Sequence, residues 1–361
     1  MTTPTLADVA REVGVSRTTV SNAYNRPDQL SAELRDRVLA AAARLGYPGP
    51  DPVARGLRRG RMDMVGVVYD QPLSYLFTDP AIIQFVAGMA AVWDGAGVSL
   101  ALLPRLRADD AGASVLAGAA VDGFVSICDD TDDERLGALV ARRLPFVTVD
   151  APHSGAASQV VIDDRGGSRA AVRHLIDLGH RRLGVLALPR SPGAPGGPID
   201  PAEPGPIRYS VMADRLAGCR DAVEEAGLAW REVPVVAVPD DQAPRSAARA
   251  LALDLLDRSH PPTGIVTMSD ELAAGVLDAA RQRGLDVPGD LSVVGFDDSP
   301  TAASTMPPLT TVHQPLLGKG EAAARLLLDG APARIIELPT SLVTRGSTGP
   351  PRRHQQRPPR R

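Results

Sequence analysis

The sequence predicts a small all-α helix-turn-helix headpiece followed by an α/β domain of two lobes, with parallel sheets covered by helices on both faces. Three short apolar patterns at helical spacing fill residues 5–46. From Met64 onward, apolar runs of strand length alternate with helical patterns in two successive series. The chain has 361 residues, so two or three domains are expected.

The first helix is predicted from apolar positions at i, i+3, i+4 and i+7, which are Leu6, Val9, Ala10 and Val13. Thr5 stands just before this pattern, and Asp8 follows three residues later. The pair approximates a capping box, with aspartate in place of the usual glutamate. Gly14 ends the helix, because glycine readily adopts the left-handed conformation that closes a helix.

The second helix is predicted to begin at Arg17, with Ser16 as its N-cap. It buries Val20 and leaves a polar face outward, which consists of Arg17, Thr18, Thr19, Ser21 and Asn22. Arginine can pair with guanine, asparagine with adenine, and hydroxyl groups with phosphates, so this face suits the major groove of DNA. The alternative is an ordinary helical hairpin with a solvated polar face.

The third helix is predicted between Ser31 and Gly46, from Leu34, Val38, Leu39, Ala42 and Leu45. Residues 51–61 then form a weak, basic helix that Gly56 interrupts. Three short helices within about fifty residues are typical of a small DNA-reading domain.

Residues 5–61 resemble the headpiece and hinge of the LacI/GalR family of bacterial transcriptional repressors. The resemblance rests on T-L-A-D-V-A-x-x-x-G-V-S-x-x-T-V-S-N, on R-x-R-V-x-x-A-A-x-x-L-G-Y and on V-A-R-x-L-R, and it continues to about residue 346. It implies a homodimeric regulator that binds double-stranded operator DNA. The base contacts that it implies are Arg17, Thr18 and Asn22, and the phosphate contacts are Thr5, Ser16, Thr19, Ser21 and Asn25. Val53, Ala54 and Leu57 would enter the minor groove.

The charge of the chain is unevenly distributed. Residues 1–61 carry ten arginines against six acidic side chains, whereas the whole chain has a net charge of −4. A basic head on an acidic body fits a domain that meets phosphates, joined to one that does not. No signal peptide and no apolar run of about eighteen residues is present, so a cytoplasmic, nucleoid-associated protein without a membrane partner is expected.

Four motifs of the α/β part resemble the effector domain of the same family: V-V-I-D-D-R-G-G, L-G-H-R-R, M-S-D-E-L-A-A-G and D-L-S-V-V-G-F-D-D. That effector domain is similar to periplasmic sugar-binding proteins. The predicted organisation is a headpiece at 1–50, a hinge at 51–61, an effector and dimerisation domain at 62–346, and a disordered basic tail at 347–361. Lobe 1 would comprise about 62–161 and 316–338, and lobe 2 about 162–314 and 339–346. Residues 316–338 would return to lobe 1 as a helix.

Ligands of parallel sheets bind at the carboxyl ends of the strands, and polar side chains occur there in this sequence. By resemblance, a small polar effector, a sugar or sugar derivative, would bind Asp150, Arg215, Ser269, Asp270 and Asp297. Leu73, Tyr75 and Phe77 would supply apolar walls. Asp270 and Asp297 also have a purely structural interpretation, as caps of the following helix or turn.

Catalysis is poorly supported, because the sequence lacks a Gly-x-Ser-x-Gly elbow, a Walker loop and a Gly-x-Gly-x-x-Gly after a strand. No cofactor, no metal and no enzymatic activity are expected. A solute-binding protein or an α/β enzyme with similar lobes stays open as the alternative. Residues 189–210 are rich in Pro and Gly and are interpreted as a long mobile loop, either a lid over the cleft or a tolerated surface insertion.

Overall fold

The computed structural model describes residues 4–50, 56, 59–69, 71, 73–103, 110–127, 134–151, 157–330 and 332–352. The chain divides into two compact units, Met1–Asp63 and Met64–Arg361. Among the helices within the described ranges, none is long and apolar enough to cross a membrane.

Within residues 4–50, the first unit forms a headpiece of three α-helices, α1 (Leu6–Val13), α2 (Arg17–Asn25) and α3 (Ala32–Leu45). The Thr5 amide donates to the Asp8 carboxylate at 2.9 Å, which is one half of the predicted capping box. Gly14 has φ 73°, so the turn between α1 and α2 uses the left-handed conformation that glycine tolerates. The core consists of Val9, Ala10, Val20, Ala23, Val38, Ala41 and Ala42.

The second unit contains nine helices within the described residues. They are α4 (Pro80–Ala96), α5 (Asp110–Gly118), α6 (Glu134–Ala141), α7 (Asp164–Asp177), α8 (Ser210–Glu225), α9 (Pro244–Leu256), α10 (Asp270–Gln282), α11 (Pro300–Ser304) and α12 (Leu316–Asp329). Along the chain, these helices come between the strands of two separate sheets, and each sheet belongs to one lobe.

The first sheet has six parallel strands in the order β12-β5-β4-β3-β1-β2. The strands are β1 (Met64–Tyr69), β2 (Ser99–Leu103), β3 (Gly123–Ile127), β4 (Phe146–Val149), β5 (Ser158–Ile162) and β12 (Ile335–Leu338). Val67 and Val68 are neighbours in β1, and both are buried, in two different hydrophobic clusters. Because successive side chains of a strand point to opposite faces, this sheet is covered on both sides.

The second sheet has seven strands in the order β13-β11-β10-β9-β6-β8-β7, with antiparallel pairing only at its two edges. The strands are β6 (Leu183–Ala187), β7 (Gly197–Ile199), β8 (Val235–Ala237), β9 (Gly264–Thr267), β10 (Ser292–Asp297), β11 (Thr310–His313) and β13 (Ser341–Val343). The chain passes between the sheets after β5, after β11 and after β12. The predicted fold class is confirmed.

Residues 316–338 differ from the single returning helix that the sequence predicts. The helix α12 ends at Asp329, and β12 follows and pairs with β5 from Ile335↔Gln159 to Leu338↔Ile162. The strand was missed because Ile335–Leu338 has four residues and is only partly buried, so its hydrophobic alternation is short and weak.

The 189–210 segment is fixed to the second lobe, unlike the mobile loop expected from its composition. Its strand β7 extends the sheet by pairing with β8, and Ile199 is buried in the core of the lobe. The indole nitrogen of Trp230 donates to the Pro201 carbonyl at 3.0 Å. Composition failed here because backbone hydrogen bonds to an existing sheet edge can order a segment that lacks periodicity of its own.

The start of the predicted disordered tail is also fixed. Ser347 is fully buried, and its hydroxyl donates to the Val293 carbonyl at 2.6 Å. Arg352 contacts Asp286 and Asp290 at 3.0 and 2.8 Å. The expectation of disorder is therefore wrong for residues 347–352, because polar groups of lobe 2 bind this segment; residues 353–361 lie outside the described part of the chain.

Candidate functional site

The outward face of α2 carries the predicted base-reading side chains. Arg17 and Thr18 are exposed at the first two positions of the helix. Asn22 lies about one turn further on, and its amide donates to the Gln29 side chain at 3.3 Å. The structure therefore places all three side chains on one short helix, and Arg17 has no hydrogen bond or ion pair with the described part of the headpiece. A guanidinium group presented in this way can donate two parallel hydrogen bonds to guanine.

The predicted phosphate contacts also stabilise the headpiece itself. The Ser16 hydroxyl accepts from the Thr19 amide at 3.0 Å and contacts the Thr19 hydroxyl at 2.8 Å. The Thr5 hydroxyl donates to Asp8 at 2.7 Å, and the Asn25 amide donates to the Ser21 hydroxyl and carbonyl. Thr5 and Ser16 fix the starts of α1 and α2, where backbone amide groups can meet a phosphate, and Asn25 fixes the end of α2. The predicted hinge residues Val53, Ala54 and Leu57 lie outside the described residues.

The second unit has a cavity of about 130 Å³ between its two lobes. The first lobe lines it with Tyr69, Gln71, Tyr75, Asp79 and Asp150, and the second lobe with Leu188, Pro189, Tyr209, Ser210, Val211, Val238, Pro239, Asp240, Gln242 and Pro244. Several of these residues follow the last residue of a parallel strand, where ligands of such sheets bind. The cavity is smaller than the about 300–1,000 Å³ of typical ligand pockets, so the lobes are close together here.

A hydrogen-bond cluster joins the lobes at this cavity. The Gln71 amide of the first lobe donates to Asp240 Oδ1 at 2.8 Å and to the Tyr209 hydroxyl at 3.3 Å. Asp240 and Tyr209 both belong to the second lobe, and Asp240 is only 2% exposed. Because a carboxylate acceptor strengthens a hydrogen bond, the contact between Gln71 and Asp240 is the main polar link in this cluster.

Asp150 lines the cavity in a strained backbone conformation. It follows β4 with φ 53°, in the left-handed region that non-glycine residues rarely adopt. Lys319 Nζ contacts Asp150 Oδ2 at 2.5 Å, whereas Asp150 Oδ1 is buried and has no hydrogen-bond partner among the residues that the structure describes. A buried acceptor without a partner is costly, so a ligand that donates a hydrogen bond to Oδ1 would be stabilised.

Lys319 begins a buried polar network that continues beside the cavity. Its ammonium contacts the Gln314 side-chain oxygen at 2.5 Å, and the Gln314 amide donates to Asp297 at 2.6 Å. Arg215 lies 3.7 Å from Asp297, with its guanidinium 3.6 Å from the centre of the Phe296 ring. Asp164 accepts from Arg215 Nε at 2.7 Å.

Burial raises the pKa of Asp164 above the ordinary value of aspartate, and that of Asp297 well above it. The Arg215 guanidinium opposes both rises by favouring the charged carboxylates. Removing one member would leave its partners as unpaired buried charges, which costs about 3–5 kcal/mol. The network therefore fixes the wall beside the cavity and is sensitive to truncation.

The eight predicted effector residues are only partly brought together. Tyr75 and Asp150 line the cavity, whereas the side chain of Phe77 is 68% exposed and Leu73 packs against the first-lobe core. Arg215 and Asp297 are members of the buried network. Their candidate role in effector binding stays a prediction.

Ser269 and Asp270 have structural partners at the start of α10. The Ser269 hydroxyl accepts from the Leu272 amide, which makes it the N-cap of the helix. The Asp270 carboxylate accepts from the Thr311 hydroxyl at 2.6 Å and from the Ser299 amide at 2.7 Å. Burial raises the pKa of Asp270 to about 7. These contacts account for both side chains without an effector.

Sequence reasoning missed Gln71, Asp79, Tyr209 and Asp240 at this cavity. Asp240 could have been identified from the sequence as a strand-end candidate, because it follows the apolar run V-V-A-V-P as Asp150 follows F-V-T-V. Asp79 is the N-cap of α4 and accepts from the Ala81 amide at 2.8 Å, so its capping pattern concealed its place at the cavity. Gln71 and Tyr209 lie in connections between strands and helices, where no hydrophobic periodicity indicates which way a side chain points.

Comparisons with known proteins agree with both units. Residues 5–49 match the model of the bacterial regulatory proteins of the lacI family, and residues 172–348 match a periplasmic binding protein-like domain. An HTH-type transcriptional regulator of Mycolicibacterium smegmatis is 42% identical, with 96% of this chain and 97% of that protein covered.

Two solved structures are also similar. The Lac repressor dimer bound to operator and the anti-inducer ONPF has a TM-score of 0.76 and 27% identity, covering 96% of this chain and all of that one. The complex of the transcriptional regulator CelR with cellobiose has a TM-score of 0.67 and 31% identity, covering 95% of this chain and 99% of that one.

Proposed function

Because the chain belongs to the lacI family of bacterial regulatory proteins, and is thus a DNA-binding transcriptional regulator, we propose that it is a repressor whose operator affinity depends on a small polar effector. The effector binds in the cavity between the two lobes. The observation that supports this most directly is the cavity itself, because both lobes contribute polar side chains to it. A ligand can shift the equilibrium between lobe arrangements only if its affinity differs between them. A ligand that contacts both lobes meets this condition.

The DNA-binding form in this proposal is a homodimer on a pseudopalindromic operator in the cytoplasm, at the nucleoid. One headpiece reads only a few base pairs, so a second headpiece on a second half-site is needed for specificity. The similar Lac repressor is a dimer bound to operator, which favours the same arrangement here. Sedimentation that shows a monomer both free and bound to DNA would contradict it.

The effector in this proposal is a sugar or sugar derivative. Carboxylates such as Asp150 accept hydrogen bonds from hydroxyl groups, and the rings of Tyr69, Tyr75 and Tyr209 offer apolar faces with a polar tip. The similar regulator CelR binds cellobiose in its complex. The chain has no proposed catalytic activity, since its relatives are transcriptional regulators and its buried carboxylates are bound by neighbouring side chains.

A thermal-shift screen of sugars, nucleosides and phosphorylated metabolites tests the effector site, because a compound that binds the native state raises the melting temperature. Tyr75→Ala should reduce the shift, since Tyr75 lines the cavity. Phe77→Ala is the matched control, because Phe77 lies in the same short turn and is exposed. An equal shift in wild type and in Tyr75→Ala would place the binding site elsewhere.

A further inference from the structure

The 189–209 segment builds one wall of the cavity, in addition to extending the sheet. Pro189 lines the cavity at the start of the segment, and Tyr209 lines it at the end. Between them, Gly193 has φ 69°, which turns its amide toward Asp240 Oδ2 at a distance of 2.8 Å. The Asp240 amide in turn donates to the Ala194 carbonyl at 3.1 Å. The segment therefore holds both the side chain and the backbone of Asp240.

Asp240 uses its two carboxylate oxygens differently. Oδ2 accepts from the Gly193 amide within the second lobe. Oδ1 accepts from Gln71 of the first lobe at 2.8 Å and from the Tyr209 hydroxyl of the second lobe at 3.3 Å. Both donors to Oδ1, Gln71 and Tyr209, line the cavity together with Asp240. A donor on an incoming molecule can replace the Gln71 amide at Oδ1 without disturbing the bond that fixes the carboxylate.

The charged side chains that line the cavity are all acidic within the described residues. They are Asp79, Asp150 and Asp240. Lys319 compensates Asp150, but it does so from a buried position beside the cavity and not on its wall. A phosphate or carboxylate group placed here would meet like charges in a region of low dielectric, which is strongly unfavourable.

We propose that Asp240, positioned by the 189–209 segment, is the effector-binding carboxylate of the second lobe. Asp240 links the lobes through Gln71 and selects against anionic effectors. This inference rests on the proposed effector site and adds to it the residue and the charge class that determine selectivity. An uncharged effector with hydroxyl groups donates to Asp240 Oδ1 in place of Gln71, so binding changes a contact between the lobes. The 189–209 segment then has a positioning role.

The link between the lobes is tested without any ligand by energy transfer between two dyes. The dyes are attached to Ala96→Cys at the end of α4 and to Ser259→Cys in the second lobe, both exposed positions, in a Cys128→Ser background. Cys219 does not compete for the dye, because burial raises the pKa of its thiol to about 12 and the thiolate is the reactive form.

We expect lower and broader energy transfer in Gln71→Leu and in Asp240→Ala than in the wild type. Asp241→Asn is the matched control, because Asp241 is the adjacent residue, is exposed and does not line the cavity. Asp240→Asn is a milder variant, in which the amide of Gln71 can rotate to restore a bond. Unchanged transfer in both Gln71→Leu and Asp240→Ala would overturn the proposed link.

Charge selection is tested with uncharged monosaccharides and cyclic polyols, each paired with its phosphate monoester. Uncharged members should raise the melting temperature, and their esters should not. For the best compound, Asp240→Asn should lower the affinity about tenfold to a hundredfold, as expected for loss of a hydrogen bond to a charged group, and Asp241→Asn should not.

An ester that binds as tightly as its parent compound, or full affinity in Asp240→Asn, would overturn the proposed selectivity. If no compound binds, the proposed effector control itself fails. The energy-transfer measurement still decides in that case whether Asp240 joins the lobes, so the two failures are distinguishable.

Discussion

We expect single side chains of α2 to determine how this protein reads DNA. Arg17→Ala should weaken binding to a selected DNA duplex by about 1–3 kcal/mol and relax the base preference at one position in each half-site. The reason is that the exposed guanidinium of Arg17 can form two hydrogen bonds with one guanine. Fluorescence anisotropy against duplexes substituted at single positions measures both effects.

The control for Arg17 is Arg44→Ala, because Arg44 is also exposed in the headpiece but lies on α3 and contacts Glu12. Its removal should leave base preference unchanged. A uniform loss of affinity across all sequences in Arg17→Ala would instead identify Arg17 as a phosphate contact.

Asp270 should make the stability of the second unit dependent on pH. Its folded pKa of about 7 lies above the ordinary value. Between about pH 4 and pH 7, the folded state therefore holds a proton on Asp270 that the unfolded state has released. Stability should therefore be greatest below about pH 4 for this group and should fall as the pH rises from there through 7, by on the order of 4 kcal/mol. Urea unfolding at several pH values measures this slope.

The variant Asp270→Asn should flatten that slope, because an uncharged amide can accept from the Ser299 amide and donate to the Thr311 hydroxyl. Asp278→Asn is the control: Asp278 is on the same helix, where hydrogen bonds from Arg245 lower its pKa. An unchanged slope in Asp270→Asn would mean that other buried carboxylates, such as Asp297, determine the pH dependence.

At the scale of elements, α4 and α12 approach each other closely enough to require glycine. A Cβ atom on Gly88 would clash with the Leu317 carbonyl, and one on Gly320 would clash with the Phe85 carbonyl. Gly88→Ala should therefore destabilise the first lobe by about 1–3 kcal/mol, since the backbones must move apart.

Gly95→Ala is the matched control on the same helix, because a Cβ atom there has no neighbour within 4 Å. This substitution should stabilise the protein by about 0.5–1 kcal/mol, because alanine loses less conformational freedom than glycine in a helix. Thermal unfolding of the full chain compares the two variants. Equal stabilities of Gly88→Ala and the wild type would show that the helices do not pack in this way.

Elements with strong local signals could be predicted from the sequence, whereas those that depend on distant partners could not. The headpiece helices follow from apolar spacing and from Thr5, Ser16 and Gly14, which all act on neighbouring residues. The position of strand β7 depends on its pairing with the edge of β8. The position of residues 347–352 depends on polar groups of lobe 2, such as the Val293 carbonyl. No local pattern encodes such partners, so composition alone indicated a mobile loop for the first segment and disorder for the second.

The candidate site shows the same difference between local and distant information. The position of Asp150 after β4 predicted its place at the carboxyl edge of the sheet, and Asp150 lines the cavity. Asp270 occupies an equivalent sequence position, yet Thr311 and Ser299 enclose its carboxylate. Whether a strand-end aspartate faces a cavity or a neighbouring loop depends on three-dimensional packing, so the sequence predicts candidates and not their partners.

At the scale of the whole molecule, the proposal requires that a ligand between the lobes changes the affinity of the headpieces for DNA. Coupling of this kind is a free energy between two sites, and it typically changes affinity about 5- to 150-fold. The effector can change DNA binding only to the extent that it prefers one lobe arrangement over the other.

The most direct test is the dissociation constant of the full-length protein for a selected operator duplex, with and without the compound of largest thermal shift. The wild type and Phe77→Ala should show an at least about fivefold change in that constant, and Tyr75→Ala should show little change. A wild-type protein that binds the compound while its operator affinity stays constant would contradict effector control. The same change in Tyr75→Ala as in the wild type would contradict binding between the lobes.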